Sequence, residues 1–505
     1  MVIEILPAGH RNLVQIGMVI LITMLIFDTK GLFLAGWTFL LIIVVEIQNV
    51  RKKKWKKTTM KKDLTEGKVW FVLTMFVLPI IAGSIIQQMY TTVDSIIVGR
   101  FVGKTGLAAI NSVATLFKFP LNFMGGLSGG MTVIISRYYG SKNKDELGKS
   151  VRTALTMSIV MGIVFSVIGV SLAPWMLTLM KVPGDIFALT LSYVRVYFAG
   201  IFATVMYNNA AGILRAYGDS ATPLYILIVC GLFNVAADYL FVGVFGWSVA
   251  GAAYATIMSQ VISAIIALYV IERISKEEKQ KIFLYPEFSF AHAGSMVTLG
   301  IPLGIKSILF PIANSIVASA VNGRGTDVIA AWGVCGTLDL LIWLIADSMG
   351  SAQSTFVAQN LGANQHKRAY KGTFIGVALT VVPVALVSIG LFFAAGSFGY
   401  LFVPDSDAPA VIPLVIEYMR LMAPFYVFYG LYAAFSGAIC GAGQTLIPTV
   451  LTLTFTCVLR VLAIFFVLPH FESMECIIWI YITSWIVTGV VFTVMFQFLY
   501  HKWNK

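Results

Sequence analysis

Two acids inside apolar stretches of this sequence could share a cation or a proton. Asp94 and Asp238 are carboxylates in low-dielectric surroundings, and two such groups cannot both stay charged without a proton or a cation between them. Asn234 precedes Asp238 by four residues, so the two side chains share one face of a helix. Carboxylate and amide oxygens are hard ligands that suit Na⁺, and a shared proton is an equal alternative. The competing interpretation is that these acids are ordinary groups of helix packing.

The elements that must position these residues are membrane-spanning helices. Of the 505 residues, 58% are hydrophobic and 11% are charged, which leaves too little polar surface to coat a soluble globule. The apolar runs each have about the 20 residues that a helix needs to cross the hydrocarbon core, and they lack the alternation of barrel strands. We therefore predict an all-α polytopic membrane protein. Its twelve spans from residue 69 onward lie near residues 69–99, 107–135, 151–172, 187–212, 222–243, 248–270, 297–321, 328–357, 372–394, 412–436, 448–469 and 477–499.

The formal net charge of +12 orients the chain in a membrane and does not mark a nucleic-acid partner. Lys and Arg concentrate in alternate loops, beginning with the run from Arg51 to Lys62 and ending with Lys502 and Lys505. The intervening loops hold only scattered basic residues. The positive-inside rule then predicts cytoplasmic basic loops and a cytoplasmic C-terminus in a multi-pass plasma-membrane protein.

Cysteine and histidine provide no framework for a disulfide or a metal site. The five cysteines are odd in number and mostly inside apolar runs, and the five histidines are dispersed. An integral-membrane enzyme would need His, Asp or Ser clustered at a membrane face, and the sequence has no such cluster. We expect no enzymatic activity, no cofactor and no metal beyond Na⁺.

The chain divides into an N-terminal extension and two halves. Two short apolar stretches, residues 12–27 and 31–47, predict a helical hairpin, and with the basic segment that follows they make an extra region at residues 1–62. The longest charged connection then separates six spans from six. This gives two lobes, at residues 63–285 and 286–505.

The two lobes repeat each other at an offset of 222 to 225 residues. Pro79 matches Pro302, and Tyr193-Val194-Arg195 matches Tyr418-Met419-Arg420. Further matches are Leu107-Ala108-Ala109 with Ile329-Ala330-Ala331, Tyr139-Gly140 with Leu361-Gly362, and Gly212, Gly218 and Pro223 with Gly437, Gly443 and Pro448. Because six crossings is an even number, both lobes insert in one orientation, with a pseudo-two-fold axis along the membrane normal and a cavity between them. That is the architecture of an alternating-access carrier.

The sequence resembles the multidrug and toxic compound extrusion (MATE) family over roughly residues 60–500. Four motifs carry the resemblance: Met60-Lys-Lys-Asp-Leu-Thr-Glu-Gly67, Gln87-Gln88-Met-Tyr-Thr-Thr-Val-Asp94-Ser-Ile-Ile-Val-Gly99, Leu214-Arg215-Ala-Tyr-Gly-Asp-Ser-Ala-Thr-Pro223 and Gln359-Asn360-Leu-Gly-Ala363. The resemblance implies a two-lobed bundle that exports organic cations and other drugs in exchange for Na⁺ or H⁺. Since Met60 matches the usual start of the family, we expect residues 1–59 to be dispensable for transport.

The resemblance also implies roles for the polar residues of the first lobe. The family's cation site matches Asp94 on the first helix, Asn234 and Asp238 on the fifth and Thr256 on the sixth. Asp94, Asp238 and Thr256 each lie nine residues from a predicted outer turn, so all three are roughly 13 Å deep at 1.5 Å per residue. Pro79 matches the family's kink position, where the bend either shifts with the state of Asp94 or is static.

Six residues are candidates for the wall of the substrate cavity, because polarizable and aromatic side chains suit varied organic cations. They are Gln87, Met89, Tyr90, Met206, Asn208 and Asn209. Residues 125–130 instead carry overlapping G-x-x-x-G pairs, which are typical of close helix packing.

The second lobe departs from the pattern of the first. Arg460 falls where Asn234 sits in the first repeat, so a second identical cation site is excluded. The seventh span has no acid, which favours the DinF-like over the NorM-like branch of the family. The charges inside these spans either line the substrate path or form internal ion pairs, for which their depths suggest Lys306–Asp347 and Arg460–Asp339. An unpaired charge there costs at least ~3 kcal/mol unless it snorkels.

A lipid-linked oligosaccharide flippase of the same superfamily is the alternative function. Such a carrier would need a cationic cavity and no acidic site in its first lobe. We expect small organic cations as substrates, the lipid bilayer as surroundings and a monomeric protein.

Overall fold

The computed structural model describes residues 63–277, 288–471 and 473–503 of the chain. The predicted hairpin and basic segment at residues 1–62 lie outside the described residues. So does the lobe boundary at residues 285 and 286. These parts of the domain division stay predictions.

Each of the twelve predicted spans is a helix, and the described ranges contain no strand. Eleven helices are long and apolar enough to cross a membrane, and α2 makes twelve when its two parts are counted together. The helices are α1 (Val69–Phe101), α2 (Lys104–Gly140), α3 (Lys144–Leu179), α4 (Gly184–Ala216), α5 (Ala221–Val244), α6 (Ser248–Glu277), α7 (Phe290–Asn322), α8 (Thr326–Gly362), α9 (His366–Gly399), α10 (Ala408–Gly441), α11 (Leu446–His470) and α12 (Met474–Trp503).

Three helices change their winding along their length. In α5 the α-helix ends at Asp238 and a π-helix follows at Tyr239–Val244. A second π-helix, Leu453–Val458, lies within α11, and a 3₁₀ turn at Ala423–Phe425 interrupts α10. Single π turns inside α-helices are frequent at functional sites. The π-helix that begins directly after Asp238 therefore supports a functional role for that residue. By contrast, α1 continues through Pro79 as one helix, and the bend expected there stays a prediction.

Glycines bring α2 of the first lobe against α7 of the second. A Cβ at Gly126 would lie 2.2 Å from the Gly304 nitrogen, and a Cβ at Gly130 would lie 2.5 Å from the Gly300 nitrogen. Only hydrogen atoms fit at these crossings, so the two backbones pack directly. This confirms the close packing that the glycine pattern of residues 125–130 predicts.

The lobes also meet at one end of the bundle. We call the end that holds the loops at residues 141–143 and 363–365 the basic end, and the opposite end the far end. There a Cβ at Gly140 of α2 would lie 1.9 Å from the Gln359 carbonyl, and a Cβ at Gly362 of α8 would lie 2.0 Å from the Arg137 carbonyl. The two contacts are reciprocal, as the predicted pseudo-two-fold axis requires.

Hydrogen bonds between the lobes reinforce this contact at the basic end. The Gln359 side chain donates to the Ala216 carbonyl at 2.8 Å, and its oxygen accepts from the Leu64 nitrogen at 3.3 Å. The Asn360 side chain donates to the Leu64 carbonyl at 3.2 Å. Buried amides that bond backbone across the interface fix the relative position of the lobes at this end.

Towards the far end, the faces of α2 and α8 that pack together at Gly140 and Gly362 carry exposed residues, from which we infer that the two faces separate there. On α2, Asn111, Lys118 and Gly125 are exposed and repeat every seven residues, with Gly125 about four turns from the packed Gly140. On α8, Gly333 and Asp347 are exposed at the same spacing from Gly362. We call the space between the two faces the cleft. It is closed at the basic end.

Candidate functional site

Helices α1 and α5 bring the two predicted acids together. The carboxyl groups of Asp94 and Asp238 lie within hydrogen-bonding reach of each other. Asn234, one turn before Asp238, donates its amide to Asp238 Oδ2 at 3.2 Å. Asp238 and Asn234 are fully buried, whereas Asp94 is only partly buried. A contact between two carboxyl groups requires a proton on one of them or a cation between them.

Three oxygen atoms at this contact have no hydrogen-bond partner. They are Asp94 Oδ1, Asn234 Oδ1 and Asp238 Oδ1, and each is buried. Buried polar atoms are nearly always paired, so these oxygens are free to accept from a proton carrier or to ligate a cation. Carboxylate and amide oxygens fit the hard-ligand preference of Na⁺.

Thr256 on α6 does not take part in this contact. Its hydroxyl donates to the Ala252 carbonyl of its own helix at 3.0 Å. Ser, Thr and Asn side chains often bond their own helix in this way, four residues back. A role for Thr256 as a ligand therefore stays a prediction that requires this bond to break.

Two tyrosines of α4 lie near the acid pair, and the sequence did not identify them as part of the site. Tyr193 interacts electrostatically with both Asp94 and Asp238, and Tyr197 interacts with Asp94. Their rings pack on Phe117 of α2, with centroids 5.7 and 4.2 Å away. The i, i+4 spacing of Tyr193 and Tyr197 places both side chains on one face of α4, and this is visible in the sequence. The same spacing is also common where helices pack together without a functional site.

The six cavity candidates separate into two groups. Gln87 and Met89 on α1 are exposed, and Tyr90 and Asn208 are partly exposed. Met206 and Asn209 on α4 are instead buried in the first lobe. Asn209 donates to the Ser158 hydroxyl of α3 at 2.7 Å, and Met206 packs in the same core, so neither lines an open surface in this conformation.

The predicted pair between Arg460 and Asp339 is wrong. Asp339 is buried on α8 and accepts hydrogen bonds from Tyr418, at 2.9 Å, and from Tyr426. Two hydroxyl donors satisfy this carboxyl group, so it needs no guanidinium. Arg460 is buried on α11 and donates to Ser484 at 2.8 Å and to Asn314 at 3.0 Å. Depth alone could not reveal which side of each helix these residues occupy.

Lys306 and Asp347 are neighbours without a direct ion pair. Each influences the other electrostatically, but no salt bridge joins them within the described part of the chain. Asp347 instead accepts from the Tyr429 hydroxyl at 3.1 Å and keeps part of its surface exposed to the cleft. The predicted pair is thus a looser arrangement in which Asp347 remains open to a ligand.

Lys118 is a charged residue of the cleft that the sequence reasoning missed. It lies fourteen residues after the first residue of α2 and is exposed on the face that lines the cleft. The described residues contain no ion-pair partner for it. The sequence signal was that Lys118 lies between Phe117 and Phe119 inside a predicted span. Charged residues within spans usually face an aqueous path.

Comparison with known proteins places this architecture among transporters. The family model described as MatE matches residues 79–240 and 302–466. The probable multidrug resistance protein YoeA of Bacillus subtilis is 29% identical, over 88% of this chain and 96% of that protein. The probable multidrug resistance protein NorM of Thermotoga maritima is 24% identical, over 86% of this chain and 93% of its own length. A solved multidrug resistance MATE transporter of the MOP superfamily, described as outward-facing, superposes with a TM-score of 0.82 at 21% identity, over 89% of this chain and 100% of that one.

Proposed function

The chain belongs to the MatE family, and from that premise we propose that it is a secondary antiporter that exports organic cations in exchange for Na⁺ or H⁺. The observation that carries the proposal is the contact between Asp94 and Asp238, with three partnerless oxygen atoms around it. An acid pair at this depth is costly to maintain unless it binds and releases a cation during the cycle.

The acid pair couples the ion to movement because its two members come from different helices. When a proton or Na⁺ neutralises the pair, Asp94 of α1 and Asp238 of α5 attract each other through it. When the ion leaves towards the other side, two charged carboxylates repel and α1 separates from α5. Asp94 also lies one turn from Tyr90, so this movement reshapes the wall that meets the substrate.

The cleft between the lobes is the proposed substrate path. Gln87, Met89 and Tyr90 of α1 and Asn208 of α4 offer amide, thioether and aromatic surfaces, which accept flat organic cations of varied shape. Asp347 adds an accessible carboxylate on the opposite wall. A lipid-linked oligosaccharide flippase would need a cationic cavity, and the acids at Asp94, Asp238 and Asp347 do not favour it.

We also propose that the chain follows the DinF-like arrangement within the family. Helix α7 contains no acid, and the single acid of α10, Glu417, lies nearer its far end. The coupling chemistry therefore falls on the first lobe alone. The basic end is proposed to face the cytoplasm, with the C-terminus on the same side of the plasma membrane. The protein is proposed to act as a monomer.

The decisive experiment is ethidium efflux from proteoliposomes under separately imposed Na⁺ and H⁺ gradients. An antiporter moves ethidium only when at least one gradient is present, and the gradient that drives it identifies the coupling ion. Asp94→Asn should remove the response to that gradient. Efflux that is indifferent to both gradients would overturn the proposal of ion-coupled antiport.

A further inference from the structure

Arg460 is a buried cation whose protein partners are all neutral. The side chain is 1% exposed, on α11. Its Nε donates to Ser484 Oγ and its Nη1 donates to Asn314 Oδ1. The guanidinium also lies over the Tyr481 ring, 3.9 Å from the centroid. Hydrogen bonds and the ring face stabilise the cation, but none of these groups carries the opposite charge.

No carboxylate compensates Arg460 among the residues that the structure describes. The two acids in the interior of α8, Asp339 and Asp347, are bonded to tyrosines, and neither forms a salt bridge with Arg460. A buried charge without a counter-charge is strongly destabilising in a membrane interior. Arg cannot escape this by losing its proton. An anion at this place would supply the missing counter-charge.

Two buried donors in this region have no acceptor. Arg460 Nη2 and Trp485 Nε1 are both buried and both lack a hydrogen-bond partner. The guanidinium carbon lies 5.8 Å from the centroid of the Trp485 ring, so the two donors belong to one cluster. Trp485 is 2% exposed, and nearly all buried indole N–H groups find a partner.

Tyrosine rings enclose the cluster. The rings of Tyr426, Tyr429 and Tyr481 lie 5.6 to 5.9 Å from the Trp485 ring. Aromatic rings present positive edges, which favour an anion. The guanidinium carries a single positive charge, so one monovalent ion is enough to neutralise it.

We propose that Arg460 and Trp485 form an anion site in the second lobe that takes one chloride-sized ion. The ion would accept from Arg460 Nη2 and Trp485 Nε1 and neutralise the buried guanidinium. It would thereby stabilise the contact of α11 with α7 and α12, since Asn314 and Ser484 hold the other side of the same guanidinium. This site is separate from the acid pair of the first lobe.

The test is the thermal unfolding midpoint of the full-length protein in lipid nanodiscs, with sodium chloride replaced by sodium gluconate at constant ionic strength. In the wild type the midpoint should rise with chloride and saturate. Trp485→Phe keeps the ring and removes one donor, so it should raise the half-saturating chloride concentration about tenfold or more. Trp479→Phe, on the same helix but 47% exposed, is the matched control and should behave as wild type.

Arg460→Met removes the buried charge and should abolish the dependence on chloride. If this variant fails to fold, Trp485→Phe still decides the matter. A wild-type midpoint that does not change with chloride at constant ionic strength would overturn the proposal, as would an unchanged chloride response in Trp485→Phe. If sodium acetate raises the unfolding midpoint as much as sodium chloride does, the cluster binds a carboxylate group, and the proposal of a halide site is overturned. Bromide soaked into crystals should give an anomalous peak within hydrogen-bonding distance of Arg460 Nη2.

Discussion

At the scale of single residues, the acid pair behaves as one unit. Because the Asp94 and Asp238 carboxyl groups are in contact, protons leave them in steps that belong to the pair and to neither residue alone. Asn234 donates a hydrogen bond to Asp238 and none to Asp94, so the two acids have different surroundings. In the proposed antiport cycle, the partly exposed Asp94 is the member of the pair that an ion reaches first.

Replacing either acid by its amide should abolish gradient-driven efflux. Asp94→Asn and Asp238→Asn keep size and hydrogen bonding but remove the charge that a cation must neutralise. We expect ethidium efflux in proteoliposomes to fall at least a hundredfold, with the protein still inserted and monodisperse. Asp327→Asn, in the first turn of α8, is a control acid outside the site and should transport normally. Wild-type efflux in either site variant would show that the pair has no coupling role.

The acids of this site could be predicted from the sequence, but the residues around them could not. Asp94, Asn234 and Asp238 were identifiable because acids inside apolar spans are rare and because i, i+4 spacing fixes a shared face. Tyr193 and Tyr197 were not, since an aromatic residue on a spanning helix is more often packing. The pairing of Arg460 also failed, because depth along a helix does not give rotation about its axis.

Lys118 should weaken the binding of organic cations. A unit charge about 10 Å from the ligand at an effective dielectric of about 20 contributes on the order of 1–2 kcal/mol of repulsion. Lys118→Met should therefore bind ethidium about five- to thirtyfold more tightly, measured by fluorescence anisotropy with purified protein. Lys181→Met, in a far-end loop, serves as the control. Weaker ethidium binding in Lys118→Met would show that the lysine does not face bound cations.

At the scale of helices, one repeat position carries different chemistry in the two lobes. In the first lobe, Phe117 of α2 packs edge-on against Tyr193 of α4. At the matching position of the second lobe, Asp339 of α8 accepts a hydrogen bond from Tyr418 of α10. The repeat preserved the helix contact and the tyrosine, so the sequence could predict the architecture of both lobes. It could not predict which lobe keeps a free acid, since that depends on individual side chains.

The crossing of α2 and α7 should fail when a methyl group is added at its centre. Gly126→Ala would place a Cβ 2.2 Å from the Gly304 nitrogen, and backbone atoms cannot move aside as a flexible side chain can. We expect a loss of about 1–3 kcal/mol, seen as a lower thermal unfolding midpoint in detergent.

Gly125→Ala is the matched control for this crossing. A Cβ at Gly125 would meet no atom within 4 Å, since that residue faces the cleft. Both substitutions replace glycine by alanine in the same helical turn, so they change helix propensity equally. Equal midpoints for the two variants would contradict the packing described here.

At the scale of the whole molecule, the lobes are joined at the basic end and apart at the far end. In the proposed alternating-access cycle this arrangement must reverse, so the bonds at the basic end must be strong enough to close it and weak enough to open. Arg368 of α9 is central to this balance. It donates to the Gly67 carbonyl at 2.7 Å, to Glu66 at 2.8 Å and to Leu64 at 3.3 Å, all in the segment before α1.

Removing the Arg368 guanidinium should therefore shift the protein towards opening at the basic end. Arg368→Gln loses up to three charge-assisted hydrogen bonds between the lobes, and the loss of even one is enough to change an equilibrium about tenfold. Spin labels at Ser141 and Lys371, which are exposed on different lobes at this end, would report the opening as a longer distance in double electron–electron resonance. Lys367→Gln removes the adjacent exposed charge and should leave the distance distribution unchanged. If Arg368→Gln also leaves it unchanged, the contact of α2 with α8 through Gly140 and Gly362 closes the basic end without help from Arg368.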